Sequence, residues 1–447
     1  MKRYIILIFA GLLLLSGCSL YKKYESNATI PDNIMGDVVN PQDTTSMGQM
    51  SWQTLFKDPL LQKLINTAWA NNTDLKTAQL TIEQAQNEVT AAKWGYAPTF
   101  SFSPQATYSY QSGTHGLSAR IPVTASWQLG IFGQTTTNIR LAKAQQAYLE
   151  DYKQAVQVSL AANVANLYYT LSMLDRQMEI AEQAESLCEE SLNSTRALYD
   201  AGIYQSPAVY QMEASLSEVR IEIVGLRNSI LITEALLCKL IAEPPHHIER
   251  ASFDAFQMPE ELNTGLPIRL LNARPDVRMA ERGMEIAYYG TQQARQDFFP
   301  TLSIDGLFGL GSVNPAVLLG QAVASLTQPI FAGGKLNAQL KNAKADQEIA
   351  QLDFVQTLLD AGSEAYQYLH TCQLAQEKSV HYDNRVNALQ EAFDATTELM
   401  NNGSTTYLEV LTAQESLLGA QLSQVQNQFE IMQSLINLYT ALGGFGK

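Results

Sequence analysis

The stretch Phe100-Ser101-Phe102-Ser103-Pro104-Gln105-Ala106-Thr107-Tyr108-Ser109-Tyr110 decides the fold. Phe100, Phe102, Ala106, Tyr108 and Tyr110 alternate with Ser101, Ser103, Gln105, Thr107 and Ser109, so one face is apolar and the other polar. A period of two over about ten residues reads as a strand. A turn at Ser112–Gly116 leads to a second alternation, in which Ile121, Val123, Ala125, Trp127 and Leu129 interleave with Pro122, Thr124, Ser126 and Gln128. Strands of this length and patterning suit a membrane barrel with a wet interior.

The flanking sequence separates this hairpin from those of compact soluble domains. Leu60 to Ala97 reads as helix, ended by Pro98. From Thr135 to Asp200 no proline interrupts a helical pattern, which at 1.5 Å per residue extends about 100 Å. Leu141, Tyr148, Ala155, Ala162 and Tyr169 recur every seven residues, with Ala144, Val158 and Ala165 three further on. This is a coiled-coil-like seam with small residues that permit close approach. A third helix is expected over Pro207–Ala242.

The whole arrangement is written twice. Asp74-Leu75, Ala78, Glu83, Ala85, Ala92, Pro98 and Phe100 correspond, 202 residues later, to Asp276-Val277, Ala280, Glu285, Ala287, Ala294, Pro300 and Leu302. Gly202 corresponds to Gly403. The second copy has its own strands, Thr301–Leu310 and Gln321–Gln328, the latter with Val323 interrupting its polar side, and its own long helix from Gly333 to Asn402. The expected divisions are repeat 1 over 59–243, a linker over 244–272 and repeat 2 over 273–447. Four strands cannot close a membrane barrel, because known barrels begin at eight. An open edge in lipid leaves backbone groups unpaired at several kcal/mol each. Three copies would supply twelve strands.

Composition and the N-terminus agree with this reading. Of 447 residues only 16% are charged, against roughly 25% in soluble domains. The net charge of −15 disfavours nucleic acid, which its binding proteins meet with clustered Lys and Arg. Beyond the first 20 residues no apolar run reaches the roughly 20 residues of a spanning helix. Lys2 and Arg3 precede the apolar run Ile5–Leu15, so residues 1–17 read as a signal peptide. Leu15-Ser16-Gly17-Cys18 follows, with small residues ahead of a nucleophilic thiol, as in a bacterial lipobox. Residues 18–58 then form a lipid-anchored N-terminal segment, and several acyl chains on Cys18 make a lasting anchor. Cys188, Cys238 and Cys372 show no disulfide framework and read as buried small hydrophobes.

Together these features resemble the TolC-like outer membrane factors, specifically the lipidated OprM/NodT-type efflux channels. The resemblance rests on the lipobox, the tandem repeat and Trp127-Gln128-Leu129-Gly130-Ile131-Phe132-Gly133. It rests also on Ala273-Arg274-Pro275-Asp276-Val277, Gln328-Pro329-Ile330-Phe331-Ala332-Gly333-Gly334, Tyr407–Gln414 and Asn437–Gly444. It implies a fold combining a membrane β-barrel with a long α-helical coiled-coil barrel. The assembly would be a homotrimer, with four strands per chain in a twelve-stranded outer membrane barrel continued by a periplasmic helical tunnel. Its partners would be a periplasmic adaptor (membrane fusion) protein, an inner-membrane pump of the RND type and outer membrane lipid. The chain would be a passive exit duct for drugs or other small molecules, with segments 19–58 and 243–272 wrapping the tunnel's waist. The resemblance also implies adaptor-docking tips at Asp200, Gly202, Ser206, Pro207, Asn402, Gly403, Ser404 and Thr405. There the hydroxyls or Pro207 would restart the helices. A periplasmic gate is implied at Leu408, Glu409 and Thr412, where Thr412 replaces the aspartate of many relatives.

Enzymatic readings find no support. Gly309-Leu310-Gly311 lacks the third glycine of a dinucleotide fingerprint, with Asn314 in its place. Gly116-Leu117-Ser118-Ala119-Arg120 lacks the closing glycine of a nucleophile elbow. His115, His246, His247, His370 and His381 show no metal-ligand spacing, and acidic pairs such as Glu189-Glu190 read as a solvated helix face. No catalytic residue, metal or cofactor is expected. A lipid-anchored periplasmic coiled coil acting as scaffold or adaptor is the alternative from another class.

Overall fold

The computed structural model describes residues 23–25, 51–111, 113–256, 274–311 and 317–445. Cys18, the signal peptide and most of the expected waist segments lie outside the described residues. The elements run α1 Trp52–Leu55, α2 Pro59–Asn71, α3 Thr73–Trp94, β1 Thr99–Phe102, β2 Gln105–Gln111, β3 Thr114–Leu129, α4 Gln134–Asp200 and α5 Ser206–Leu240. They continue with α6 Pro275–Gln296, β4 Thr301–Gly311, β5 Val317–Thr327, α7 Lys335–Asn401 and α8 Tyr407–Ala441. The two long helices α4 and α7 are both 67 residues, and α5 and α8 are both 35. The expected seam along α4 is buried or half-buried at all eight of its positions, Leu141 to Tyr169.

The chain divides into two compact units. One comprises residues 1–30, 79–152 and 278–357; the other comprises 31–78, 153–277 and 358–447. The first unit holds the sheet, in the order β1-β3-β4-β5 with β2 also on β3, antiparallel throughout. The alternating stretch is interrupted, contrary to the single strand expected: β1 ends at Phe102 and β2 begins at Gln105. Register is nevertheless kept, since Phe102 pairs with Val123 and Gln105 with Arg120. Ser103 therefore faces Pro122. Its N–H donates to the Pro122 carbonyl at 3.3 Å, but Pro122 has no N–H to return. The ladder loses one rung there without slipping.

β3 is longer than expected, starting at Thr114, because the turn is tighter than Ser112–Gly116: Gln111 pairs directly with Thr114, and Gly113 has φ +85°. β5 likewise starts early, at Val317. Opposite Pro122 lies Gly309. A Cβ there would stand 2.4 Å from the Ile121 carbonyl oxygen and 2.8 Å from Pro122 Cα, so only glycine lets these strands approach.

In the second unit, the helix expected over Leu60–Ala97 breaks at Asn72. The buried Asn72 side chain explains the break. Its Oδ1 accepts from the Asp74 and Leu75 N–H groups (2.9 and 3.1 Å), capping α3, while its Nδ2 donates to the Leu240 carbonyl at 3.0 Å, where α5 ends. Arg274, 202 residues later, plays the corresponding part. Its Nη1 donates to the Ala441 carbonyl at the end of α8 (3.1 Å), and its other nitrogens hold Asp276 and Glu364. A cation at a helix C-terminus also meets the negative end of the helix dipole.

The start of the linker is held by a partly buried ion cluster. Arg250 bonds both Asp175 oxygens (2.5 and 2.7 Å) and Glu234 at 2.6 Å, and Glu234 also accepts from His247 and the Ile248 N–H. Burial pushes the Glu234 carboxyl up, but the Arg250 hydrogen bond and its other donors outweigh this and hold it below the usual carboxylate range. Cys188, Cys238 and Cys372 are free and buried, and burial pushes the Cys372 thiol up to about 11.

Gly309→Val should prevent β3 and β4 from pairing. Heat-modifiable oligomers on gels should disappear for this variant, whereas Gly320→Ala, where a Cβ meets open space, should leave them at wild-type levels.

Candidate functional site

Two surfaces carry the chemistry. The first is the sheet, whose register gathers its large aromatic and aliphatic side chains mostly on one face. On one face Phe100 lies beside Ala125, Phe102 and Phe308 flank Val123, Trp127 adjoins Ile304, and Leu302 lies between Leu129 and Leu326. Phe100, Phe102, Tyr108, Tyr110, Leu117, Phe308 and Leu326 on this face are exposed among the described residues. On the other face, Ser101 and Thr124 hydroxyls meet at 2.5 Å, Ser126 Oγ donates to Asp305 Oδ1 at 2.6 Å, and Ser303 and Ser325 hydroxyls meet at 2.7 Å. Val323, opposite Asp305, sits on this polar face as its position in the alternation implied. Hydrogen bonds thus satisfy the face that would meet water, while the apolar face has only an external apolar phase to meet. Trp127 sits at the end of this face with its Nε1–H donating to the Tyr96 carbonyl at 3.0 Å. Tyr and Trp suit such a border because one end is apolar and the other polar.

The second surface is the pair of helical turns in the second unit. After α4, Gly202 (φ +74°) lets its own N–H reach the Tyr199 carbonyl and the Ile203 N–H reach the Leu198 carbonyl, both at 2.9 Å. After α7, Gly403 (φ +68°) repeats this with Met400 and Leu399, again at 2.9 Å. This closure satisfies helix-end carbonyls and requires a left-handed residue. The restart differs from the hydroxyl capping expected. Ser206 lies already inside α5, the cap residues are Gln205 and Thr406, and neither makes a side-chain cap. Pro207 does occupy the first turn of α5, where a missing N–H costs nothing. Thr405 instead hydrogen-bonds Glu409.

The two turns are brought together by a residue that no sequence spacing marked. Tyr407 OH donates to Gln211 Oε1 at 2.6 Å, and its ring lies edge-on to Tyr204 at 5.5 Å. Asp200, Gly202, Ser206, Pro207, Asn402, Gly403 and Ser404 are exposed around this contact, with Thr405 half-buried. On α8, Val410, Leu411 and Gln414 are buried, whereas Leu408, Glu409 and Thr412 are exposed. Leu408, at 52% exposure, shares a face with Thr412, whose hydroxyl donates back to the Leu408 carbonyl at 2.8 Å. Among the described residues no group of three His, Cys, Asp or Glu could hold a metal ion, and no helix is long and apolar enough to cross a membrane.

The family model for outer membrane efflux proteins matches the chain twice, over residues 64–243 and 266–444. The chain belongs to the outer membrane efflux protein family. It is an efflux channel component of the outer membrane, from a family of transport proteins. It is similar to the probable efflux pump outer membrane protein TtgC of Pseudomonas putida KT2440, 26% identical over 452 residues, covering 96% of this chain and 93% of the relative. The cation efflux system protein CusC of Escherichia coli CFT073 is 25% identical over 456 residues, covering 98% of each. The solved structure of the outer-membrane channel OprN superposes with a TM-score of 0.83 at 23% identity, covering 96% of this chain and 99% of that one. That likeness concerns the fold.

Proposed function

We propose that this protein is the passive outer membrane duct of a tripartite efflux system, working as a homotrimer. The observation that carries the reading is the four-strand-wide sheet with one continuous apolar face and both edges unpaired among the described residues. Unpaired backbone groups in lipid cost several kcal/mol each, so the sheet is stable in a membrane only when copies close it. Three copies give a twelve-stranded barrel, lined by Ser101, Thr124, Ser126, Asp305 and Ser303. The tandem repeats 59–243 and 273–447, joined by the linker 244–272, then contribute their long helices to a periplasmic tunnel. Drugs or other small molecules are the cargo class, and an inner-membrane pump of the RND type supplies the energy. Cys18 begins the mature chain and anchors it to outer membrane lipid. Mass spectrometry of the membrane-purified protein should show an acylated N-terminal peptide starting at Cys18, and an unmodified thiol there would contradict the anchor.

The turns at Gly202 and Gly403 dock the periplasmic adaptor. Their exposure, their shared left-handed closure and the exposed apolar residues Ile203, Tyr210 and Leu399 nearby support this. A Cβ at either glycine meets only open space, so substitution strains the backbone without clashing inside the chain. Gly202→Val and Gly403→Val should raise intracellular accumulation of dyes and antibiotics to the level of a deletion strain while membrane oligomers persist. Normal export by these variants would exclude docking at the turns.

Leu408, Glu409 and Thr412 form the periplasmic gate. In a trimer each contributes three side chains near the axis, so Leu408 forms an apolar constriction and Glu409 attracts cations. Single-channel recordings in planar bilayers should show higher conductance and weaker cation preference for Leu408→Ala combined with Glu409→Ala. Wild-type values for both would place the constriction elsewhere.

A further inference from the structure

The sheet carries almost no charge. Between Lys93 and Arg140 the sequence has a single Lys, Arg, Asp or Glu, which is Arg120; between Asp297 and Lys335 the single one is Asp305. Both stand on the polar face, since Arg120 pairs with Gln105 and Asp305 with Ser126. Their heights differ. α3, α4, α6 and α7 all join the sheet at one end, near Thr99, Leu129, Thr301 and Thr327. Asp305 lies towards that end, in the row of Thr99, Ser126 and Val323. Arg120 lies at the opposite rim, in the row of Gln105, Gly311 and Val317, where β4 ends and β5 begins. Along β3 the two rows are about 20 Å apart, from Arg120 to Ser126.

The two groups also differ in what holds them. Asp305 accepts from the Ser126 hydroxyl at 2.6 Å, which keeps its short side chain against the wall. Among the described residues no carboxylate pairs with Arg120, and the residue is exposed. Its partner on β4 is a glycine, so no side chain covers it from that strand. On the apolar face an arginine at this height would snorkel to the lipid headgroups, but the register puts Arg120 on the other face. Twelve strands about 4.8 Å apart, tilted about 40°, close into a wall of about 12 Å radius. An extended arginine stem carries its guanidinium about 6 Å inward, to within a Debye length (about 8 Å at physiological salt) of the axis. A carboxylate held at the wall stays about 10 Å from the axis, where salt screens it from the centre of the lumen.

We infer that Arg120 sets the charge preference of the duct's outer mouth. Three guanidiniums, one from each copy, form a ring at the rim remote from the helices. The ring gathers anions leaving the duct and holds back cations approaching from outside. This rests on the duct reading above and adds the class of solute that the exit favours: small molecules bearing carboxylate, sulfonate or phosphate groups. A guanidinium stays charged, offers paired N–H donors to such oxyanions and raises their local concentration in a lumen walled by low-dielectric material. Asp305 carries the opposite sign but acts from the wall, so the arginine ring decides the preference.

The full-length protein in planar bilayers tests this, with inositol hexakisphosphate as the anionic probe added to one chamber at a time. The wild-type channel should be blocked from one chamber only, and the block should weaken as salt rises. Arg120→Ala should weaken the block at least about tenfold, and Arg120→Lys should retain most of it. Arg120→Cys provides a comparison within a single inserted channel. A cationic methanethiosulfonate should restore the block there, and an anionic one should not. Equal block of wild type and Arg120→Ala would overturn the inference and leave the duct standing, as would restoration by either reagent alike. Absence of any conductance from the wild-type protein would overturn both.

Discussion

The structure depends on the backbone hydrogen bonds of a sheet that has two edges and one largely apolar face. The strands from β1 to β5 keep one register, which gathers Phe100 with Ala125, Phe102 and Phe308 with Val123, and Trp127 with Ile304 on one face. A one-residue slip anywhere would turn Phe308 or Val123 onto the polar face and Ser126 onto the apolar one. Register and membrane compatibility are therefore a single property of this sheet. Even the interruption at Ser103 and Pro104 preserves it, because the missing rung belongs to Pro122 and the count of residues on both strands stays equal.

The helices solve a different problem. A 67-residue helix cannot be stabilised by its own propensity; it needs a flanking helix along its length. Each half supplies this by stacking a short helix against the returning one, and the join is sealed in both halves by a side chain donating to the last carbonyl of the returning helix. Asn72 does this for α5 and Arg274 for α8. Different residue types thus meet the same demand, an orphan carbonyl at a helix C-terminus.

Much of this was legible in the sequence because it rests on periodicity. Alternation located the strands, the proline-free stretches up to Gly202 and Gly403 located both long helices, and Pro98 marked the end of the helix before the first strand. What escaped has a specific physical cause in each instance. The helix break at Asn72 depends on a contact with Leu240, 168 residues away. The split at Ser103 depends on a proline in the opposite strand. The turn beyond β2 was drawn too wide because Thr114, His115 and Gly116 look like turn residues until paired with Gln111, Tyr110 and Ser109. Hydroxyl capping at the helical tips failed because the serines lie one residue inside the helix start or ahead of it. Tyr407, which joins the two tips, and Arg250, which clamps the linker, act across long sequence separations and carry no spacing signal.

The central claim is that the sheet's apolar face meets lipid while its polar face lines water. Single cysteines placed along β3 of the membrane-embedded protein, probed with a charged maleimide, test it most directly. Cysteines at Ser118, Thr124, Ser126 and Gln128 should be labelled, and those at Leu117, Ile121, Val123 and Ala125 protected. Equal labelling of both sets, in a protein confirmed to be in the membrane, would contradict the account.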